Sequence, residues 1–204
     1  MIKTQHMDRQ LIAKSISDHI NGLSYQDVLK YPGNIVFSKF SNGTILMEPG
    51  NFSKDLFFIK KGIIRAYHES EDNQQKTIFI RVENEFFGDY YSIILDTPTR
   101  LYYECLEDCE FYKFEFGEIE QYLKQNTEVM NFAFQYLAKV VSEYIARNED
   151  FIFLSAEERY IKYVLNNKSL LDRVPAKLIS SMLGVTPVSL SRIKKRIQDK
   201  ENPS

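Results

Sequence analysis

The feature that most narrows what this chain can fold into is a set of apolar residues arranged around one glycine in residues 175–195. Ile179 is followed by Ser180, small enough to let two helices cross. Leu183 precedes Gly184, which lies four residues after that serine and can take the positive φ a tight turn demands. Val185, Leu190 and Ile193 then recur at spacings that hold a second helix against the first. Pro175 and Pro187 suit first helical positions, and Thr186 suits the cap of the second helix. The pattern predicts a helix-turn-helix.

Helical hairpins of purely structural purpose share that outline, so the outward face decides. Ser189, Ser191, Arg192, Lys195 and Arg196 fall on it, and no acidic residue occurs between Arg173 and Gln198. Short hydroxyls and long cations suit base edges and phosphates. With Thr186, these are the candidate DNA-contacting residues. Charge is distributed to match. Residues 168–204 hold 8 Lys+Arg against 3 Asp+Glu, a net of +5, while the whole 204-residue chain stands at -2. A basic module on an acidic body is the footprint of a nucleic-acid reader joined to another domain.

The texture of residues 31–116 is different. Short runs rich in Ile, Phe and Tyr (35–40, 44–47, 56–59, 63–67, 76–82, 101–105 and 110–114) are separated by turn signals such as Asn42-Gly43, Pro49-Gly50 and Lys61-Gly62. Such spacing predicts an antiparallel sandwich or barrel. Strands this aromatic need a closed barrel or two buried faces. Helical patterns flank the strands: Leu11, Ile12, Ile16 and Ile20 before a break at Asn21-Gly22, and a short helix over 118–124.

From Thr127 to about Ile152 the spacing predicts one long helix with two apolar stripes. Met130, Ala133, Phe134, Leu137, Val141, Tyr144, Asn148 and Phe151 lie on the first, of which Met130, Phe134, Leu137, Val141 and Tyr144 are the leading contacts, and Phe132, Tyr136 and Val140 lie on the second. One stripe can face the barrel and the other a second copy of the chain, so the first is the candidate dimer interface. Ser155-Ala-Glu-Glu158 is a capping box that opens the next helix. The expected class is α+β, with a sensor domain over 1–126, a dimerisation helix over 127–153 and a DNA-binding domain over 154–204.

In its motifs the chain resembles the cyclic-AMP receptor protein / fumarate-nitrate regulator (CRP/FNR) family, from about Tyr25 to Lys195. Gly184-Val-Thr-Pro-Val-Ser-Leu-Ser-Arg192-Ile is similar to that family's turn and recognition helix. The resemblance implies that Arg192 is the base-contacting arginine, with Thr186 and Ser189 at the hydroxyl positions beside it. Pro187 and Val188 replace the family's Arg-Glu pair, so its best-known operator does not carry over. The variant is similar to a branch common among Bacteroidetes regulators. Residues 168–174 lack the glycine hairpin of the family's DNA-contacting wing.

Gly43, Gly50, Leu56-Phe-Phe-Ile59 and Gly62 resemble the turns of a cyclic-nucleotide-binding barrel, a double-stranded β-helix. The family's phosphate cassette is a Phe-Gly-Glu turn that starts a short helix, then an arginine on the next strand. Helix-start amides and the arginine hold the cyclic phosphate, and the glutamate takes the ribose hydroxyl. The matching residues here are Phe87-Gly88-Asp89 and Thr99-Arg100. Gly88, Asp89, Tyr90, Thr99 and Arg100 are therefore the candidate ligand-binding residues. The acid is one methylene short, and Thr99 stands at the arginine position. These departures argue against cyclic AMP and leave an unidentified effector or a ligand-free barrel.

Other chemistries find little support. Cys105 and Cys109 are too few for an iron–sulfur cluster or a four-ligand metal site, and His6, His19 and His68 lack the context of haem ligands. No glycine-rich phosphate loop or nucleophile elbow suggests an enzyme. No apolar run approaches the length of a membrane span, and the first residues lack a secretory core. A cytoplasmic protein is expected, with an operator in double-stranded DNA, a second copy of itself and RNA polymerase as partners, no cofactor and no membrane. The alternative is a signalling adaptor whose terminal helices bind protein rather than DNA.

Overall fold

The computed structural model describes residues 8–201, which form helices and antiparallel strands. Two helices come first, α1 (Arg9–Ser17) and α2 (Tyr25–Leu29), the second opened by a capping box between Ser24 and Asp27. Eight strands follow: β1 (Ile35–Phe40), β2 (Ile45–Met47), β3 (Asp55–Lys61), β4 (Ile64–Glu69), β5 (Gln75–Arg81), β6 (Phe86–Gly88), β7 (Tyr102–Cys105) and β8 (Cys109–Glu115). Helix α3 (Tyr90–Leu95) interrupts them after β6. Five further α-helices are α4 (Phe116–Gln125), α5 (Thr127–Phe153), α6 (Ala156–Asn166), α7 (Ala176–Met182) and α8 (Pro187–Glu201). The α+β expectation holds. Strand β6 is the one absent from the sequence reading, where it was subsumed in a turn.

The strands form two four-stranded sheets, ordered β1-β8-β3-β6 and β2-β7-β4-β5. The first keeps an unbroken antiparallel register from Ile35 opposite Phe114 to Phe40 opposite Cys109. Alternation along its strands explains the aromatic density. Phe57, Phe87 and Phe111 face the barrel interior with Met47, Ile64, Ala66 and Tyr103. Their neighbours Phe58, Phe86 and Tyr112 face a second core with Ile12, Ile16, Val28 and Tyr31, against which Phe132 and Tyr136 of α5 pack. Both faces of this sheet are buried. Gly62 joins β3 to β4 at φ +102°, and a Cβ there would lie 2.5 Å from Cys109 Sγ, so no other residue fits.

The chain divides into two compact units. The first contains the residues up to His68 with Phe79–Leu137, and the second contains Glu69–Ile78 with everything from Ala138 on. The tip of the β4–β5 hairpin therefore belongs with the C-terminal helices, and α5 contributes to both units. Within the second unit, the Thr77 amide donates to Ser181 Oγ at 3.0 Å, and that hydroxyl donates to the Gln75 carbonyl at 3.2 Å.

Candidate nucleic-acid interface and sensor site

In the second unit α7 and α8 build the expected motif. Ile179, Ser180, Leu190 and Ile193 are each at most 2% exposed. The Ser180 hydroxyl turns back onto the Lys177 carbonyl at 2.8 Å, so the helix crossing carries no stray polar group. Gly184 sits at φ +70° between the helices. Thr186 Oγ1 accepts from the Ser189 amide at 3.1 Å, the capping bond expected of it, and donates to Ser189 Oγ at 2.9 Å. Pro187 begins α8, as expected, whereas Pro175 stands one position earlier than expected, as the cap of α7.

Of the six candidate DNA-contacting residues, Thr186, Ser191, Arg192, Lys195 and Arg196 are exposed and Ser189 is half-buried. Arg192 follows Leu190 by two residues and precedes Ile193, both buried, so the helical phase presents it outward. Arg196 differs from the rest: its Nη2 lies 3.5 Å from Glu157 Oε2 on α6, an acidic neighbour from outside the acid-free stretch. Residues Lys168–Leu170 form a 3-10 turn in place of a β-hairpin wing.

The first unit holds the cassette positions. Asp89 caps α3 and is 1% exposed. Its Oδ2 accepts from the Ser92 amide at 3.1 Å and the Ser92 hydroxyl at 2.8 Å, and its Oδ1 receives Tyr103 OH at 3.3 Å. The Tyr103 ring itself fills the barrel interior, stacked on Phe87 with centroids 6.4 Å apart and edge-on to Phe79 at 5.9 Å. Gly88 and Thr99 are buried, and Thr99 Oγ1 accepts from the Leu101 amide at 3.2 Å. Tyr90 is half-buried. Arg100 is exposed, with its guanidinium 5.0 Å over the Tyr91 ring. The fold thus buries Gly88, Asp89 and Thr99 and leaves Arg100 at the surface. Tyr103, outside the candidate set, donates to the acid.

Residues 37–126 match the cyclic nucleotide-binding domain family. A CooA mutant from Carboxydothermus hydrogenoformans superposes with a TM-score of 0.69 at 15% identity, covering 97% of this chain and 87% of that one. FixK2 from Bradyrhizobium japonicum gives 0.68 at 14% identity, over 82% and 86% of the two chains. The c-di-GMP responsive global regulator CLP from Xanthomonas campestris gives 0.65 at 15%, over 81% and 87%. The fold is that of the CRP/FNR regulators. No curated protein matches the chain by sequence.

On the CRP/FNR fold α5 is the long helix, and its two stripes part as their spacing implied. Met130, Phe134, Leu137, Val141 and Tyr144 remain 36–72% exposed, while Val140 is 4% exposed and Phe132 and Tyr136 pack on the second core, outside the barrel interior. Cys105 and Cys109 are buried free thiols within the barrel. His68 is exposed and His19 Nδ1 lies 2.9 Å from the Ser15 carbonyl; His6 lies outside the described residues. Among the described residues, no helix is long and apolar enough to cross a membrane.

One group escaped the sequence reading altogether. In the second unit Arg147 Nη2 donates to the Met182 carbonyl at 2.8 Å, and Arg159 Nε to the Leu183 carbonyl at 3.2 Å. These carbonyls end α7, where a helix lacks intrahelical partners. Both guanidinium groups lie over Phe151, at 5.6 and 4.9 Å from its centroid. Burial holds the Arg147 pKa below its ordinary value. Read along α5, Arg147 is merely a polar spacer, and nothing local reveals its partner 35 residues away.

Proposed function

We propose that this chain is a sequence-specific, DNA-binding transcription regulator that acts as a homodimer, with a barrel that does not take cyclic AMP. The observation carrying this reading is the outward basic face of α8, held in phase by buried Leu190 and Ile193 on a glycine-turned helix pair. α8 enters the major groove, where Arg192 reads a base and Lys195 meets a phosphate. Solved structures of the same fold include a global regulator and the sensor domain of a transcriptional regulator, which favours the same role here.

The homodimer forms along the exposed stripe of α5. A two-fold axis there pairs two recognition helices about 34 Å apart, matched to half-sites one helical turn apart. Bound to an operator, the dimer acts on RNA polymerase. Cyclic AMP is disfavoured because Asp89, at the ribose-binding position, already holds Ser92 and Tyr103, and Arg100 is at the surface. The barrel takes a different effector or none.

The test is selection of binding sites from random duplexes with the full chain. A two-fold symmetric motif is expected. Arg192→Ala should relax preference at one base pair in each half-site, where a bidentate arginine–guanine contact supplies about 1–3 kcal/mol of discrimination. Recovery of no motif, with and without small-molecule extracts, would turn the reading towards a protein-binding adaptor.

A further inference from the structure

Outside the barrel interior, the first unit holds a second space: a recess of about 360 Å³ walled by α1, α2, α3, α4 and α5 over one sheet. Ile16, Val28, Phe86, Ile93, Ile119 and Ala133 represent those walls. Along β6, Phe86 turns to this recess while its neighbour Phe87 turns to the barrel interior, so the two spaces are distinct.

The polar groups around it are already used. Tyr122 OH donates to the Asp27 carbonyl at 2.9 Å, and the Asp27 carboxylate accepts from the Ser24 amide at 2.9 Å. Tyr136 OH accepts from the Phe86 amide at 2.9 Å, and Tyr31 OH is 3.4 Å from Glu118 Oε2. Burial pushes the Tyr136 phenol up to about 12, and burial with the Glu118 charge pushes Tyr31 up further, so both stay neutral.

Water gains little in such a space, because a held water needs two to four polar partners. Losing one leucine side chain from a core leaves a cavity of about 150 Å³, which binds benzene. This recess is more than twice that size, so a single side chain from another molecule does not fill it. Its volume falls within the range of small-molecule sites, about 300–1,000 Å³. We propose that the recess binds an uncharged, predominantly apolar small molecule, the size of a two-ring aromatic or a medium-length acyl chain. Met130, Phe134 and Leu137 line the recess and are also part of the exposed stripe of α5. Occupancy is thereby felt on the face assigned to the partner copy. The site itself does not depend on the DNA-binding reading.

The experiment is a fluorescence titration of the full chain with N-phenylnaphthylamine, a neutral two-part aromatic probe. Saturable enhancement is expected, at least tenfold weaker in Ala133→Phe and Ile93→Phe, which fill the recess from different walls. Ile145→Ser, on an exposed part of α5 outside the recess, should leave it unchanged. The chain has no tryptophan. Phe116→Trp therefore places a single donor in the wall without filling it, and its emission should be quenched over the same titration. No enhancement, equal enhancement in both filled variants, or an unquenched tryptophan would overturn the proposal. So would binding seen only when Val141→Asp has separated the subunits, since a second copy would then be the occupant.

Discussion

The phenolic oxygen of Tyr103 lies 3.3 Å from Oδ1 of Asp89, with both residues at most 2% exposed. A buried carboxylate must find donors within the protein, and this one has found them in Ser92 and Tyr103 without a ligand. Tyr103→Phe should cost about 1–3 kcal/mol in denaturant unfolding, the range for leaving a buried acceptor without its donor.

Cyclic AMP should leave the melting curve of the wild type unmoved. A ligand present at a hundred times its Kd would add about 2.7 kcal/mol, which calorimetry or thermal melting detects readily. Low-micromolar binding abolished by Arg100→Ala would show that the exposed arginine swings into the barrel.

The two stripes of α5 should respond differently to the same charge. Leu137→Asp or Val141→Asp buries an unpaired carboxylate in a helix–helix seam and should weaken association by about 3–5 kcal/mol. Each subunit should stay folded. Val140→Asp, at a buried position, should instead lower the stability of the subunit. Sedimentation at micromolar concentration, paired with unfolding curves, separates the outcomes; dimers persisting in both seam variants would move the interface elsewhere.

Lys195→Ala should weaken specific and non-specific DNA binding together and lower the salt dependence by about one ion per subunit. Titrations across a salt series give this slope directly. Arg192→Ala should stand apart by losing specific binding more than non-specific. Equal losses from both substitutions would assign Arg192 to the backbone.

Gly184→Ala should be costly for two reasons. At φ +70° an added Cβ is strained, and it would lie 2.8 Å from Phe151 Cε1. Left-handed backbone costs about 1–2 kcal/mol and overpacking about 1–3. A loss of about 2–5 kcal/mol is expected in unfolding, and Phe151→Leu in the same chain should return part of it.

What could be read ahead of the fold was whatever repeats at short range. The locks at Ile179, Leu183, Leu190 and Ile193 mark a helix pair because 3.6-residue periodicity leaves its trace in the sequence. The aromatic strands predicted two buried faces for the same reason. Strand β6 escaped because three residues, Phe86 to Gly88, give alternation no room to show. Tyr103 and Asp89 stand 14 residues apart and Arg147 and Met182 stand 35 apart, so only the closed fold shows that they meet. The hairpin tip likewise joins the C-terminal unit through Ser181, a residue with no local signal beyond its size.

The Arg147–Phe151–Arg159 cluster has a mechanical meaning for a two-fold dimer zipped along α5. With its last carbonyls fastened by Arg147 near the end of α5 and by Arg159 on α6, α7 has little freedom to pivot, and α8 is docked on α7. In the proposed dimer, the angle at which each reading helix meets its groove would then be chosen by the seam between subunits. Operator spacing would be inherited from where the zipper runs, and base preference from what α8 displays. Evolution could retune one without disturbing the other, so long as two arginines keep hold of two carbonyl oxygens.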